Sequence, residues 1–318
     1  MRLKRQILIA VSFVAVVVAI SSVYSEDPFI KLRMVEVSSR QFDFFVDNMN
    51  YCPYQLQVRI PLPEGFQATT NLPYRTIVRI GETNRFLFSV FTTRRMNIRP
   101  SFDYNAWFGD PAEANPTEGL MYVLPFEDNT SHRMTQGYDG GFSHSGWVEY
   151  SLDFSMDINT PVCAARNGVV VAVKSDSSVG GGSRRYRGKA NFITLYHSDG
   201  TFTQYHHLRH NGSAVKVGDH VEAGQVIGFS GSTGWSTGPH LHFMAYKPVN
   251  LGEQTFPTLF VGSNVEPFAV RTRKTYVSYH YTNMVYNVAK NTQIDTNRGA
   301  FLANNTNVNS ETNYTGGY

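Results

Sequence analysis

The chain has 318 residues, 42% hydrophobic and 14% aromatic, which is enough apolar material for two packed domains. A formal net charge of +3 is too small to argue for nucleic acid as a partner. The two cysteines, Cys52 and Cys163, fall in different expected domains, so both are expected as free, packed thiols rather than as a disulfide or a nucleophile.

Residues 1–25 read as an export signal. Met1-Arg2-Leu3-Lys4-Arg5 is basic, Ile7 to Ile20 is almost wholly apolar, and Val23-Tyr24-Ser25 offers small or neutral residues before a cut near Glu26. The apolar run falls short of the roughly 20 residues of a spanning helix, so no stable membrane span is expected after cleavage; an uncleaved anchor is the alternative. Residues 26–120 form an expected N-terminal β-rich domain. Runs such as Phe42 to Val46, Leu56 to Ile60 and Phe86 to Phe91 alternate or are apolar, and turns at Asn48 to Pro53 and Pro61 to Gly65 separate them, which predicts a small antiparallel β-sandwich. This region holds no catalytic cluster, and Phe102 to Glu118 reads as a linker or long loop.

Residues 121–270 lack helical periodicity. Val169 to Val173, Phe192 to Tyr196, Thr203 to His207, Val226 to Ser230 and Leu241 to Tyr246 are strand candidates between glycine-containing turns, so the fold class is all-β, with an antiparallel sheet. Gly182, Gly188, Gly231 and Gly234 would build loops that wall a groove. Arg184-Arg185-Tyr186-Arg187-Gly188-Lys189 is the one dense basic cluster, read either as a solvated hairpin tip or as a basic rim of the cleft. Residues 271–318 are an extension, and the Asn/Thr/Gly-rich stretch from Asn291 to Tyr318 is expected to be a largely disordered tail.

The most informative stretch is His240-Leu241-His242. Side chains alternate along a strand, so the two imidazoles share one face while Leu241 and Phe243 point to the core. Further donors lie upstream. His144 stands in Ser143-His144-Ser145-Gly146, and Asp153 is on the polar face of Leu152-Asp153-Phe154-Ser155-Met156. Phe202 to Leu208 is a third polar strand that can bring another imidazole, with His206 expected on the face opposite His207. Two histidines and one aspartate, with a spare histidine nearby, suit a catalytic zinc.

In these segments the chain resembles the M23 zinc metallopeptidases, the lysostaphin or LytM-like family, which cut the peptide part of bacterial peptidoglycan. The matching segments are His144, Leu152-Asp153-Phe154, Thr160-Pro161-Val162, Ala164 to Val170, Tyr205-His206-His207-Leu208, Val217 to Val221, Gly224 to Gly228 and Gly238-Pro239-His240-Leu241-His242-Phe243. The resemblance implies a LytM-like catalytic domain with a Zn²⁺ held by His144, Asp153 and His242, and with His207 and His240 as the non-ligand catalytic histidines. It further implies a zinc endopeptidase acting on stem peptides or cross-bridges of peptidoglycan, in the periplasm or outside the cell. One departure stands out: the usual family spacing is His-x-x-x-Asp, whereas eight residues separate His144 from Asp153, and Glu149 occupies the place four before Asp153. His144 is the preferred ligand and Glu149 the alternative.

The other histidines read as structural: His197 as a brace for its hairpin, His210 and His220 in polar loops, His132 and His280 as solvated. Two other functions compete. A non-catalytic LytM-like regulator of another wall enzyme would keep the fold but lose ligands or catalytic histidines, and this chain keeps them. A lipoyl or biotinyl carrier, suggested by Val217 to Gln225, would need a modifiable lysine that is missing.

Overall fold

A computed structural model describes residues 28–94, 98–117, 119–140 and 143–280, together with the backbone of 292–295 and 300–303. The expected export signal lies outside the described residues. The chain divides into two compact units, one of residues 1–49 and 53–106, the other of residues 50–52 and 107–318.

The first unit is two antiparallel sheets. One contains β1 (Ile30–Ser38), β2 (Gln41–Asn48), β4 (Phe66–Ala68) and β6 (Arg85–Thr92), in the order β1-β2-β6-β4. The other has β3 (Tyr54–Arg59) between β5 (Tyr74–Val78) and β7 (Asp103–Phe108). Alternation explains the first sheet: Phe42, Phe44 and Val46 are buried while Asp43, Phe45 and Asp47 face outward. Aromatic rings fill the interior: Phe44 stacks on its same-sheet partner Phe88 at 4.8 Å, Phe102 meets Phe44 edge-on at 5.3 Å, and Tyr74 of the other sheet packs on Phe88 at 4.9 Å. The expected sandwich is present, but Phe102 to Glu118 is not wholly a linker, since its first part is β7. All of β7's residues are half-buried or exposed, so it carries no clean apolar alternation to betray it.

The second unit is built on a nine-stranded sheet. Its strands are β9 (Ser131–Gln136), β10 (Leu152–Ser155), β12 (Gly168–Lys174), β14 (Asn191–Tyr196), β15 (Phe202–Leu208), β16 (His220–Val221), β19 (His240–Val249), β20 (Gly252–Thr255) and β23 (Thr275–Val277). They run in the order β16-β12-β14-β15-β19-β10-β9-β23, with β20 paired to β19. Smaller pairings surround it: β11 (Pro161–Cys163) with β17 (Val226–Phe229), β13 (Gly180–Gly181) with β18 (Gly234–Trp235), and β8 (Met121–Tyr122) and β22 (Pro267–Phe268) on either side of β21 (Leu259–Val261). In the segment expected as a disordered tail, Thr292–Asp295 (β24) pairs antiparallel with Ala300–Ala303 (β25).

One face of the large sheet is core. Leu152, Phe154, Leu195, Tyr205, Leu241 and Phe243 are all fully buried there, each burial contributing about 1.5–3 kcal/mol. The other face of β10, β15 and β19 is therefore free to carry polar side chains on a rigid support. Neither cysteine is in a disulfide, and both are buried.

Candidate metal centre

Strand register assembles the centre. β19 lies between β10 and β15, with His242 opposite Asp153 on one side and opposite His206 on the other, and with His240 opposite Ser155. Directly opposed residues in neighbouring strands approach closely, so the pairing alone places a carboxylate and two imidazoles together. His144 arrives from outside the sheet. A 3-10 turn at Gly146–Val148 takes up the long interval between His144 and Asp153 and carries Trp147 to the surface. Donor atoms of His144, Asp153 and His242 all lie within 4.8 Å of one another, a set able to hold one metal ion. Glu149 is not part of it.

The hydrogen bonding of His144 tests whether such an ion fits. The ring is fully buried, and its Nδ1–H donates to the Gly137 carbonyl at 2.8 Å, an oxygen that can only accept. Nε2 is then a bare lone pair. It has no hydrogen-bond partner and stands 3.3 Å from Asp153 Oδ1, itself an acceptor. Two electron-rich atoms facing each other in a buried site call for a cation between them, and the backbone carbonyl behind His144 is the usual support of a metal-bound imidazole. On the other side, His242 Nδ1 lies 2.8 Å from Asp153 Oδ1. Burial works against the Asp153 carboxylate, yet the two imidazoles beside it, His144 and His242, prevail and hold it well below the usual carboxylate range. Two imidazoles and one carboxylate, Asp153 and His242 on neighbouring strands and His144 held by its bond to Gly137, are a donor set that suits zinc.

His207 and His240 flank this centre, their ring centroids 4.5 Å apart. Each spends Nδ1–H on a backbone carbonyl, His207 on Thr233 at 2.7 Å and His240 on Gly238 at 2.8 Å. In the neutral ring each presents Nε2 as an acceptor, and that of His240 lies 3.9 Å from Asp153 Oδ1. Burial, reinforced by the neighbouring His240 and His242, pushes the His207 imidazole down to about 3.

His206 corrects an expectation. Simple alternation would put it on the face opposite His207, but both line the same groove, because His207 has φ +64° and its left-handed backbone swings the ring back to the side that His206 already occupies. Such a conformation costs a non-glycine residue about 1–3 kcal/mol, which the bond to Thr233 helps offset. His206 packs edge-on to His242 at 5.6 Å, and its Nε2–H donates to Gln204 Oε1 at 2.7 Å. Elsewhere His197 is the expected brace, whereas His132 and His280 are half-buried rather than solvated, bonded to the Ser155 carbonyl and Ser278 Oγ respectively.

Asp153, His206, His207, His240 and His242 line a groove of about 770 Å³, and the fully buried His144 is not part of its lining. One wall carries Gln136, Ser143, Ser145 and Trp147, the other Arg187, Gly188, Trp235 and Thr237. Gly234 is needed for the second wall to close: its φ is +78°, and a Cβ there would sit 2.6 Å from Ala190 Cβ. Of the basic segment, Arg187 and Gly188 line the cleft, while Arg184, Arg185 and Lys189 are exposed and outside its lining. Sequence reasoning left Arg187 undecided and missed Gln204 and Trp235; the glycines flanking both loops were the available signal.

A His/Asp/His donor set at the polar face of an antiparallel sheet, with two further imidazoles at its edge and a groove in front, is the kind of site that metal-dependent hydrolases use. Residues 148–255 match the sequence profile of Peptidase family M23, and the chain carries a domain of that family. The matched stretch includes Asp153, His207, His240 and His242 but begins after His144. Lysostaphin of Staphylococcus simulans is 48% identical over 101 residues, 31% of this chain and 18% of that protein. The peptidoglycan DD-endopeptidase ShyA of Vibrio cholerae is 37% identical over 108 residues, 33% of this chain and 22% of that protein. The chain therefore spans about a fifth of the length of these relatives. Among solved structures, the catalytic domain of the antimicrobial peptidase lysostaphin from Staphylococcus simulans superposes with a TM-score of 0.28 at 36% identity, over 40% of this chain and 88% of that one.

Proposed function

We propose that the protein is an exported zinc endopeptidase that hydrolyses peptide bonds in peptidoglycan stem peptides or cross-bridges. The observation that carries this reading is the unpartnered Nε2 of buried His144 facing Asp153 and His242, beside two histidines whose Nε2 atoms are free to handle protons. The relatives' names, a peptidase and a peptidoglycan endopeptidase, supply the substrate class.

His144 Nε2, Asp153 Oδ1 and His242 Nδ1 would hold the ion. Zinc bound there supplies Lewis acidity toward the scissile carbonyl. His207 and His240 do the rest of the work. Their Nδ1 atoms are fixed by backbone carbonyls, so neither ring can turn away. The two Nε2 lone pairs can take a proton from the attacking water, donate it to the leaving amine, and as imidazolium stabilise the developing oxyanion. An extended peptide fits along the groove between the Trp147 and Trp235 walls. Retention of all five groups favours hydrolysis over a purely regulatory module.

The basic start and the apolar run from Ile7 to Ile20 support export. No helix among the described residues is long and apolar enough to cross a membrane. Incubating the zinc-loaded protein with purified sacculi and weighing the released fragments by mass spectrometry tests the proposal. Fragments whose masses show a newly hydrolysed peptide bond are expected; intact stem peptides and cross-bridges after long incubation would refute it.

A further inference from the structure

Arg187 stands on the groove wall, and its side chain is held there. Its guanidinium carbon lies 4.6 Å from the centroid of the Trp235 ring, and that of Arg184 lies 6.0 Å from the same indole. The indole is itself fixed: Trp235 Nε1–H donates to the Gly182 carbonyl at 2.9 Å, and Gly180–Gly181 runs in parallel register with Gly234–Trp235. Stacking covers one face of a planar cation and leaves its N–H edge available for a two-pronged bond to a carboxylate.

Charge supplies an independent observation. No acidic residue occurs between Asp176 and Asp199 or between Glu222 and Glu253, the two stretches that build this wall. Among the described groove-lining residues the only carboxylate is Asp153, and it is engaged by His144 and His242. Arg187 makes no ion pair with any described residue. An exposed cation on the lining of a groove that contains no anion for it is complementary to an anion carried in by the groove's occupant.

We infer that Arg187, stacked on Trp235, is a specificity-determining residue that recognises a carboxylate on the substrate peptide near the scissile bond. This rests on the groove being a peptidase cleft. It adds that the preferred peptide is anionic, and that an uncharged strand of the same length is a poorer substrate.

The test uses soluble cell-wall peptides divided into two portions, one left as free acids and one converted to carboxamides with carbodiimide and ammonia. Wild-type protein is expected to hydrolyse the free acids with kcat/KM about 10-fold above that for the amides. Arg187→Gln should bring that ratio to about 1, and Arg187→Lys, which keeps the charge without the planar fork, should fall between. Calorimetric binding of both portions to His240→Ala protein reads the same preference without turnover. Binding preference with no hydrolysis of either portion would remove the peptidase reading and leave the carboxylate subsite standing. Equal kcat/KM for both portions in the wild type, or an equal loss on both in Arg187→Gln, overturns the subsite and leaves the peptidase intact. Arg187-dependent binding of a phosphate-bearing wall polymer, with the two peptide portions alike, overturns it as well.

Discussion

His144 and His197 are both fully buried imidazoles that give Nδ1–H to a backbone carbonyl at 2.8 Å, the first to Gly137 and the second to Asn167. They differ at the other nitrogen. His197 Nε2 accepts from Thr203 Oγ1 at 3.0 Å, whereas His144 Nε2 has no hydrogen-bond partner and looks onto a carboxylate oxygen. A buried imidazole with both nitrogens satisfied is a cross-brace; one with a nitrogen left over beside other donors is able to take part in holding a cation. Burial alone does not separate the two, and neither does the residue type.

The sharpest way to break this contrast is to remove donors on one side of it. His242→Ala should lose stoichiometric zinc and lower hydrolysis by about 1,000-fold or more, while His207→Ala should keep zinc, read by elemental analysis, and lose about 100- to 10,000-fold in kcat. Equal zinc loss in both would move His207 into the ligand set. A second test removes the ion instead. Chelation should lower the thermal midpoint of the wild type by an amount that follows metal concentration, about 4 kcal/mol at 1,000 times Kd, and should leave His144→Ala nearly unmoved. A chelator shift of the same size in the variant would mean that the ion binds elsewhere.

His197 should behave in the opposite way. His197→Ala strands the Asn167 carbonyl and the Thr203 hydroxyl and is expected to cost about 2–4 kcal/mol in urea unfolding, with zinc stoichiometry unchanged. The pH profile sharpens the same point. Burial, with the Arg166 guanidinium adding to it, pushes His197 from its ordinary 6.5 down to about 4. As pH falls below 6.5 the unfolded chain takes up the proton first, so this contribution is complete above 6.5 and is lost as pH drops toward 4, a total of about 3 kcal/mol. His197→Gln should flatten that part of the stability curve between pH 7 and 4; an unaltered slope would assign it to other groups.

Much of the centre was readable in the sequence because strands keep a strict period. Alternation put His240 and His242 together, turned Leu241 and Phe243 inward, and set Asp153 on a polar face, and the structure keeps all of these. The same rule misplaced His206, since a single left-handed residue at 207 breaks the period without any glycine to announce it. The interval from His144 to Asp153 was ambiguous for a related reason: a 3-10 turn leaves no apolar pattern, so only the fold shows that His144 and not Glu149 joins the donors. The paired strands at 292–295 and 300–303 fall in Asn/Thr-rich sequence with few apolar anchors, the composition that points to a largely disordered tail.

The position of β19 between β10 and β15 limits how this domain can change. Because His240 and His242 stand two apart on one strand, a one-residue slip of β19 against its neighbours would drive both rings into the apolar layer and bring Leu241 to the groove. The strand therefore admits only slips by two, each of which hands the place opposite Asp153 to a different residue.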